Sequence, residues 1–128
     1  MNKKNGILTF HAAYNYGSCL QAYALQTFLN KNGNKFEIIN YRPYNQFGMY
    51  SLINLRYFNK GVIIKNAYNL FHFKKIINRN KKYNEFIHKY YILSNQDYLD
   101  EKELSKIIND YDTIVCGSDQ IWNLSKST

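Results

Sequence analysis

The sequence predicts an α/β domain, a parallel sheet with flanking helices, from three stretches and their order. Gly6-Ile7-Leu8-Thr9-Phe10 is a compact apolar run of strand length with polar residues on both sides. A segment of helical spacing follows, and Phe36-Glu37-Ile38-Ile39-Asn40-Tyr41 then reads as a second strand. Strand, helix and strand in succession make a βαβ unit, whose strands are parallel and whose crossover is right-handed. Late in the chain, Asp112-Thr113-Ile114-Val115-Cys116 reads as a third, buried strand running straight into Gly117-Ser118-Asp119-Gln120.

Each element has its own signals. His11 to Gly17 forms a loop, after which Ser18, Ala22, Leu25 and Leu29 recur at helical intervals and Phe28 widens the apolar face. That helix ends at Asn32-Gly33, where glycine takes a left-handed cap without a Cβ clash. Pro43 marks the exit from the second strand. Residues Gln46 to Arg56 show no regular period, and a helical segment is expected from about Gly61 to Ile77, with Ile63, Ala67, Leu70 and Ile77 on one face. A further helix, about Lys81 to Tyr91, places Tyr83, Phe86, Ile87, Tyr90 and Tyr91 in one aromatic stripe for packing. At Asp100 a helix begins with its own cap: the carboxylate takes the free amides, Glu103 reaches back and Leu99 staples onto Leu104. Leu104, Ile107 and Ile108 face the core, and Asn109-Asp110 ends the helix before the strand from Tyr111 to Cys116. The long excursion at about 46–109 thus reads as a helical insertion in a Rossmann-like domain covering 1–128.

With 128 residues, the chain is long enough for one domain with a real core. Apolar residues at 45% and aromatics at 17% argue against disorder. A net charge of +8 raises the question of nucleic acid, because clustered cations release counterions from phosphates. The clustering is local, however: Lys74, Lys75, Arg79, Lys81, Lys82 and Lys89 are interleaved with Phe71, Phe73, Tyr83 and Tyr90. On helices this pattern makes a solvated face opposite an aromatic one, which is preferred here to a nucleic-acid surface. Phosphorylated small molecules and anionic glycans remain compatible partners. Cys19 and Cys116 are far apart, in apolar contexts and outside any Cys-x-x-Cys pair, which excludes a disulfide framework and a zinc site. No signal peptide and no membrane-spanning run is present, so a cytoplasmic protein is expected.

Chemistry is expected at the carboxyl ends of the parallel strands, where open α/β sheets bind ligands. In the first such segment, His11, Asn15, Tyr16 and Gly17 lead into a helix whose unpaired amides favour an anion. Capping by Asn15 or Ser18 is an equal reading of that segment. In the second, Gly117 permits a sharp turn, Ser118 and Gln120 offer polar groups, and Asp119 supplies a carboxylate for sugar hydroxyls or for base chemistry. Asp119 as a helix cap, with Trp122 packed on the sheet, is the competing account. His11 has the pKa range of a general acid or base. His72 and His88 fall in helices and read as structural. No phosphate-binding, dinucleotide, zinc-protease or nucleophile-elbow motif occurs, so the chain carries no self-contained catalytic set, metal site or cofactor fingerprint.

In order and spacing, four groups of residues resemble one family: Gly6 to His11; Asn15-Tyr16-Gly17-Ser18-Cys19-Leu20-Gln21-Ala22-Tyr23-Ala24-Leu25-Gln26; Ile39-Asn40-Tyr41-Arg42-Pro43; and Tyr111-Asp112 with Gly117-Ser118-Asp119-Gln120-Ile121-Trp122-Asn123. The chain resembles the amino-terminal half of the polysaccharide pyruvyl transferases. That resemblance implies the first half of a GT-B-like two-domain fold, with the active site between two Rossmann-like halves. It also implies an activity, transfer of the pyruvyl group of phosphoenolpyruvate to two sugar hydroxyls as a ketal, in bacterial surface or exopolysaccharide biosynthesis. Donor-binding Arg and His groups are implied to lie in a carboxyl-terminal domain, so no catalytic residue is carried over to this sequence. His11, Asn15, Tyr16, Gly17, Gly117, Ser118, Asp119 and Gln120 are the expected substrate-binding positions, facing a saccharide acceptor. Leu124 to Thr128 are too few residues to extend a sheet, and the chain is therefore expected to be a truncated enzyme, inactive alone, whose second domain is missing or separate. The alternative from another class is a non-catalytic module that binds a glycan or nucleotide-sugar.

Overall fold

A computed structural model describes residues 4–31, 33–43 and 59–117. Among them, strands β1 (Lys4–Thr9), β2 (Phe36–Ile38) and β3 (Tyr111–Gly117) form a parallel sheet in the order β2-β1-β3. Helix α1 (Tyr16–Lys31) joins β1 to β2. Helices α2 (Lys60–Phe71), α3 (Phe73–Tyr90) and α4 (Glu101–Ile107), with a 3-10 turn (Ile108–Asp110), lie between β2 and β3. The central position of β1 explains its apolar sequence, because both of its edges are paired: Ile7 stands opposite Ile38 on one side and Val115 on the other.

One face of the sheet carries the core. Ile7, Phe36 and Ile38 pack with Ala22 of α1, Ile87 of α3 and Tyr91 just beyond it. Apolar side chains leaving water here supply the main driving force for folding. Tyr91 is buried and donates its hydroxyl to the Cys19 carbonyl at 2.9 Å, tying the end of α3 to α1. Tyr23 meets Phe86 and Tyr90 edge-on at 6.0 and 5.7 Å, a favourable geometry for ring quadrupoles. On the opposite face, Gly6 lies beneath Ile39 and Tyr111: a Cβ there would meet Ile39 Cδ1 at 2.8 Å and Tyr111 Cδ1 at 2.9 Å.

The inward face of α1 is rotated from the one its apolar spacing predicts. Cys19, Ala22 and Gln26 are buried, Leu25 and Leu29 are partly so, and Phe28 is 65% exposed. Gln26 explains the rotation. Its amide donates to the Phe36 and Ile92 carbonyls at 3.1 and 2.7 Å, and its oxygen accepts from the Ile92 amide at 3.0 Å. Gly33, at φ 82°, adopts the left-handed conformation expected after the helix.

The insertion is only partly helical. Ile92 to Tyr98 run parallel to β2, through the bridges Ile38 to Leu93 and Tyr41 to Tyr98 and the bonds Ile38 N to Ile92 O (2.7 Å) and Ser94 N to Ile38 O (2.9 Å). This run widens the sheet beyond β2, which the sequence pattern did not disclose. The two expected helices break at His72 rather than near residue 80, and Ile63, Ala67, Leu70 and Ile77 point away from the core. Gln46 to Arg56 fall outside the described residues.

The Asp100 cap forms as expected: Asp100 Oδ1 accepts from Glu103 N at 2.7 Å, while Glu103 Oε2 accepts from Leu99 N at 2.8 Å. Ile108 enters the 3-10 turn and is exposed, because the change of period carries it off the face shared by Leu104 and Ile107. Strand β3 is buried only at Tyr111, not over Asp112 to Cys116 as expected. Among the described residues it pairs only with β1, leaving Asp112, Thr113 and Cys116 exposed.

Candidate functional site

The parallel register settles which ends meet. Thr9, the last residue of β1, stands opposite Gly117, the last of β3, so both strands finish at the same edge of the sheet. From Thr9 the chain turns at once, with His11 N bonding Thr9 O at 2.9 Å, and enters α1 beside the end of β3. A Cβ on Gly117 would lie 2.4 Å from Leu25 Cδ2 and 3.1 Å from Gln21 Nε2 of α1, so glycine permits the close approach of strand and helix. Thr9 adds a link by donating its hydroxyl to Gln21 Oε1 at 3.3 Å.

Asn15 caps α1. Its Oδ1 accepts from Gly17 N at 2.8 Å and from Ser18 N at 3.4 Å, and its carbonyl accepts from Cys19 N at 3.1 Å. Two of the first-turn amides, those of Gly17 and Ser18, are thus already engaged, as the capping reading of Asn15 expects.

His11 has no exposed surface. Its Nε2 lies 2.8 Å from Asn40 Oδ1 and its Nδ1 lies 3.2 Å from the Thr9 carbonyl. Arg42 Nε donates to the same Asn40 oxygen at 2.8 Å, while the Asn40 amide donates to Asp97. With Asn40 oriented by a cation on one side and a carboxylate on the other, its oxygen must accept, and Nε2 of His11 carries the proton. Desolvation pushes the His11 pKa below its ordinary value, against the opposing pull of the bonds to Asn40 and Thr9. His11 is thus a buried group, disfavoured in its charged form by desolvation, that holds the loop after β1 to the end of β2.

Tyr16, exposed like Asn15 and Gly17 beside it, presents a large ring to solvent, 74% exposed. Its ring rests 5.1 Å from Tyr83 of α3, which also stacks against Tyr14 at 5.7 Å. Beside this cluster, a groove of about 200 Å³ runs between α1 and α3, lined by Tyr16, Cys19, Leu20, Lys82, Tyr83 and Phe86. Burial raises the Cys19 pKa and its thiol donates to the Ala13 carbonyl at 3.4 Å, so it is an inert wall group rather than a nucleophile. Cys116 is exposed, contrary to the apolar setting its neighbours suggest, because among the described residues β3 lies at the sheet edge.

His11, Asn15, Tyr16, Gly17 and Gly117 are thus gathered at one end of the sheet; Ser118, Asp119 and Gln120 lie outside the described residues. Sequence reading gave no role to Asn40, Arg42 and Asp97, which join the same end through His11. Parallel pairing alone would have placed Asn40 and Arg42 there, since both follow the end of β2. His72 and His88 are exposed and remote, His72 stacking on Tyr68 at 4.2 Å. Among the described residues no group of three or more His, Cys, Asp or Glu is arranged to hold a metal.

The family model described as polysaccharide pyruvyl transferase matches residues 15–128, from the α1 cap to the last residue. The chain belongs to the polysaccharide pyruvyl transferase family. Neither a curated protein nor a solved structure matches it. Membership implies a saccharide acceptor. Among the described residues no helix is long and apolar enough to cross a membrane.

Proposed function

We propose that this chain forms the acceptor-side half of a cytoplasmic bacterial enzyme that moves the pyruvyl group of phosphoenolpyruvate onto two hydroxyls of a surface or exopolysaccharide precursor. The observation that carries this reading is the pairing of Thr9 with Gly117, which brings the Asn15-Tyr16-Gly17 corner and the end of β3 to one edge of the sheet. Family membership supports the reaction class.

In that reaction the methylene carbon of the enol phosphate gains a proton and the adjacent carbon becomes electrophilic. One sugar hydroxyl adds there and loses its proton to a base; a second hydroxyl replaces phosphate, closing the ketal. The chemistry needs an acid, a base and cations for the charged donor. Arg42 contributes a cation at this end of the sheet, and Tyr16 offers an exposed ring face for a sugar. Gly117 to Gln120 would complete the acceptor rim, in line with a GT-B-like arrangement in which a second domain supplies the groups that activate phosphoenolpyruvate.

The test is phosphate release from phosphoenolpyruvate in the presence of saccharide acceptors, with the chain alone and with the carboxyl-terminal half of a family member added. Acceptor-dependent release with the added half supports the transferase. Saccharide binding with no release in either mixture would instead favour a glycan-binding module.

A further inference from the structure

Helix α2 is built the wrong way out for a core helix. Val62, Asn66 and Asn69 recur at i, i+4 and i+7 and are its half-buried residues. The opposite side is apolar and open to solvent: Ile63, Ile64, Tyr68, Leu70 and Phe71 are all exposed, Phe71 by 88%, and no residue of the helix is buried. Phe73 and Ile77, in the first turns of α3, extend the exposed apolar surface past the break at His72. Bulky apolar side chains gathered in this way mark an interaction surface.

The charge around that surface says what it meets. Lys60, Lys65, Lys74, Lys75, Arg79, Lys81, Lys82 and Lys89 stand between residues 60 and 90 against the single carboxylate Glu85. Elsewhere acidic and basic residues nearly balance, so this stretch carries most of the chain's net charge of +8. Two copies joined through the same patch would oppose like charges. A nucleic acid would use the cations and leave the isoleucine and leucine side chains in water. A bilayer with anionic headgroups satisfies both, because the apolar arc enters the acyl boundary while lysines remain at the headgroups. Helix α2 has 12 residues, which suits a helix lying in the interface rather than crossing it.

We propose that α2 and the start of α3 form a docking surface for an anionic phospholipid membrane. The surface is separate from the strand-end site and does not depend on its chemistry. The experiment is co-sedimentation of the full chain with phosphatidylcholine vesicles, with and without phosphatidylglycerol, at low and high salt. Binding is expected only to the anionic vesicles, with a remnant surviving added salt. The Leu70→Ser/Phe71→Ser variant should lose the salt-resistant fraction. Lys74→Gln/Lys75→Gln should weaken binding about 25-fold, from about five-fold per lysine at an anionic surface. Circular dichroism checks that both variants stay folded, as exposed substitutions should. Absence of binding to anionic vesicles overturns the proposal, as does binding unchanged in Leu70→Ser/Phe71→Ser. Self-association abolished by that variant without vesicle binding, or retention by duplex DNA in place of vesicles, also overturns it.

Discussion

Replacing Gln26 with leucine removes a side chain that bonds α1, β2 and the run after α3 together. Gln26 is buried at 3% exposure and serves three backbone groups: Phe36 O, Ile92 O and Ile92 N. Leucine is no smaller than glutamine, so the change opens no cavity beside the polar loss. At about 1 kcal/mol for each lost bond, and somewhat more where the orphaned group stays dry, the loss comes to about 3 kcal/mol. Phe36 O keeps a long contact from the Asn30 amide at 3.4 Å, which holds its share near the lower end. For a chain of this size that loss lowers the melting temperature by roughly 10 °C. Gln26→Glu should be worse at neutral pH, since a carboxylate would face two carbonyl oxygens, and should recover partly on acidification. Urea denaturation followed by circular dichroism measures both. A leucine variant within about 0.5 kcal/mol of wild type would refute the role given to Gln26.

Three further outcomes are expected. The folded-state pKa of His11 lies below its ordinary value, so the unfolded chain takes up its proton first as pH falls; the stability held by neutral His11 is full above about 6.5 and is lost on acidification below it. Denaturation midpoints at neutral and mildly acidic pH should show this slope, and His11→Gln should flatten it. Gly6→Ala should cost about 2–3 kcal/mol, because its Cβ would press on Ile39 and on the ring of Tyr111, which is buried and held by its bond to Glu37; an unchanged melting temperature would contradict the packing. Tyr16→Ala should leave stability within about 0.5 kcal/mol, the side chain being largely exposed, yet weaken saccharide binding measured by calorimetry.

Local chemistry was legible in the sequence where one residue decides the geometry. The Asp100 cap with Glu103, the left-handed Gly33 and the β1-α1-β2 unit all formed as read. Readings that depend on what lies across an interface fared differently. Helical spacing in α2 gave a coherent apolar face without saying which side faces the protein, and the half-buried Asn66 and Asn69 reversed the expectation. Gln26 was overlooked because an apolar pattern cannot register a polar residue whose partners are backbone atoms 10 and 66 positions away. The run from Ile92 to Tyr98 was hidden for a related reason: Ser94, Asn95, Gln96 and Asp97 lack strand propensity, and the parallel bridges to β2 hold it. Of the site, the Asn15-Tyr16-Gly17 corner and Gly117 were visible as strand-end segments, whereas the link through His11, Asn40, Arg42 and Asp97 needs three separate stretches in contact.

The central claim is that the corner after β1 and the end of β3 bind one saccharide together. Amide NMR shifts of the isotope-labelled chain, titrated with hexose and N-acetylhexosamine acceptors, test it most directly. The account predicts that Gly17 and Gly117 move in concert along one binding curve. Shifts confined to the cavity at the opposite end of the sheet, around Lys4, Glu37 and Asp110, or no shift with any acceptor, would contradict it.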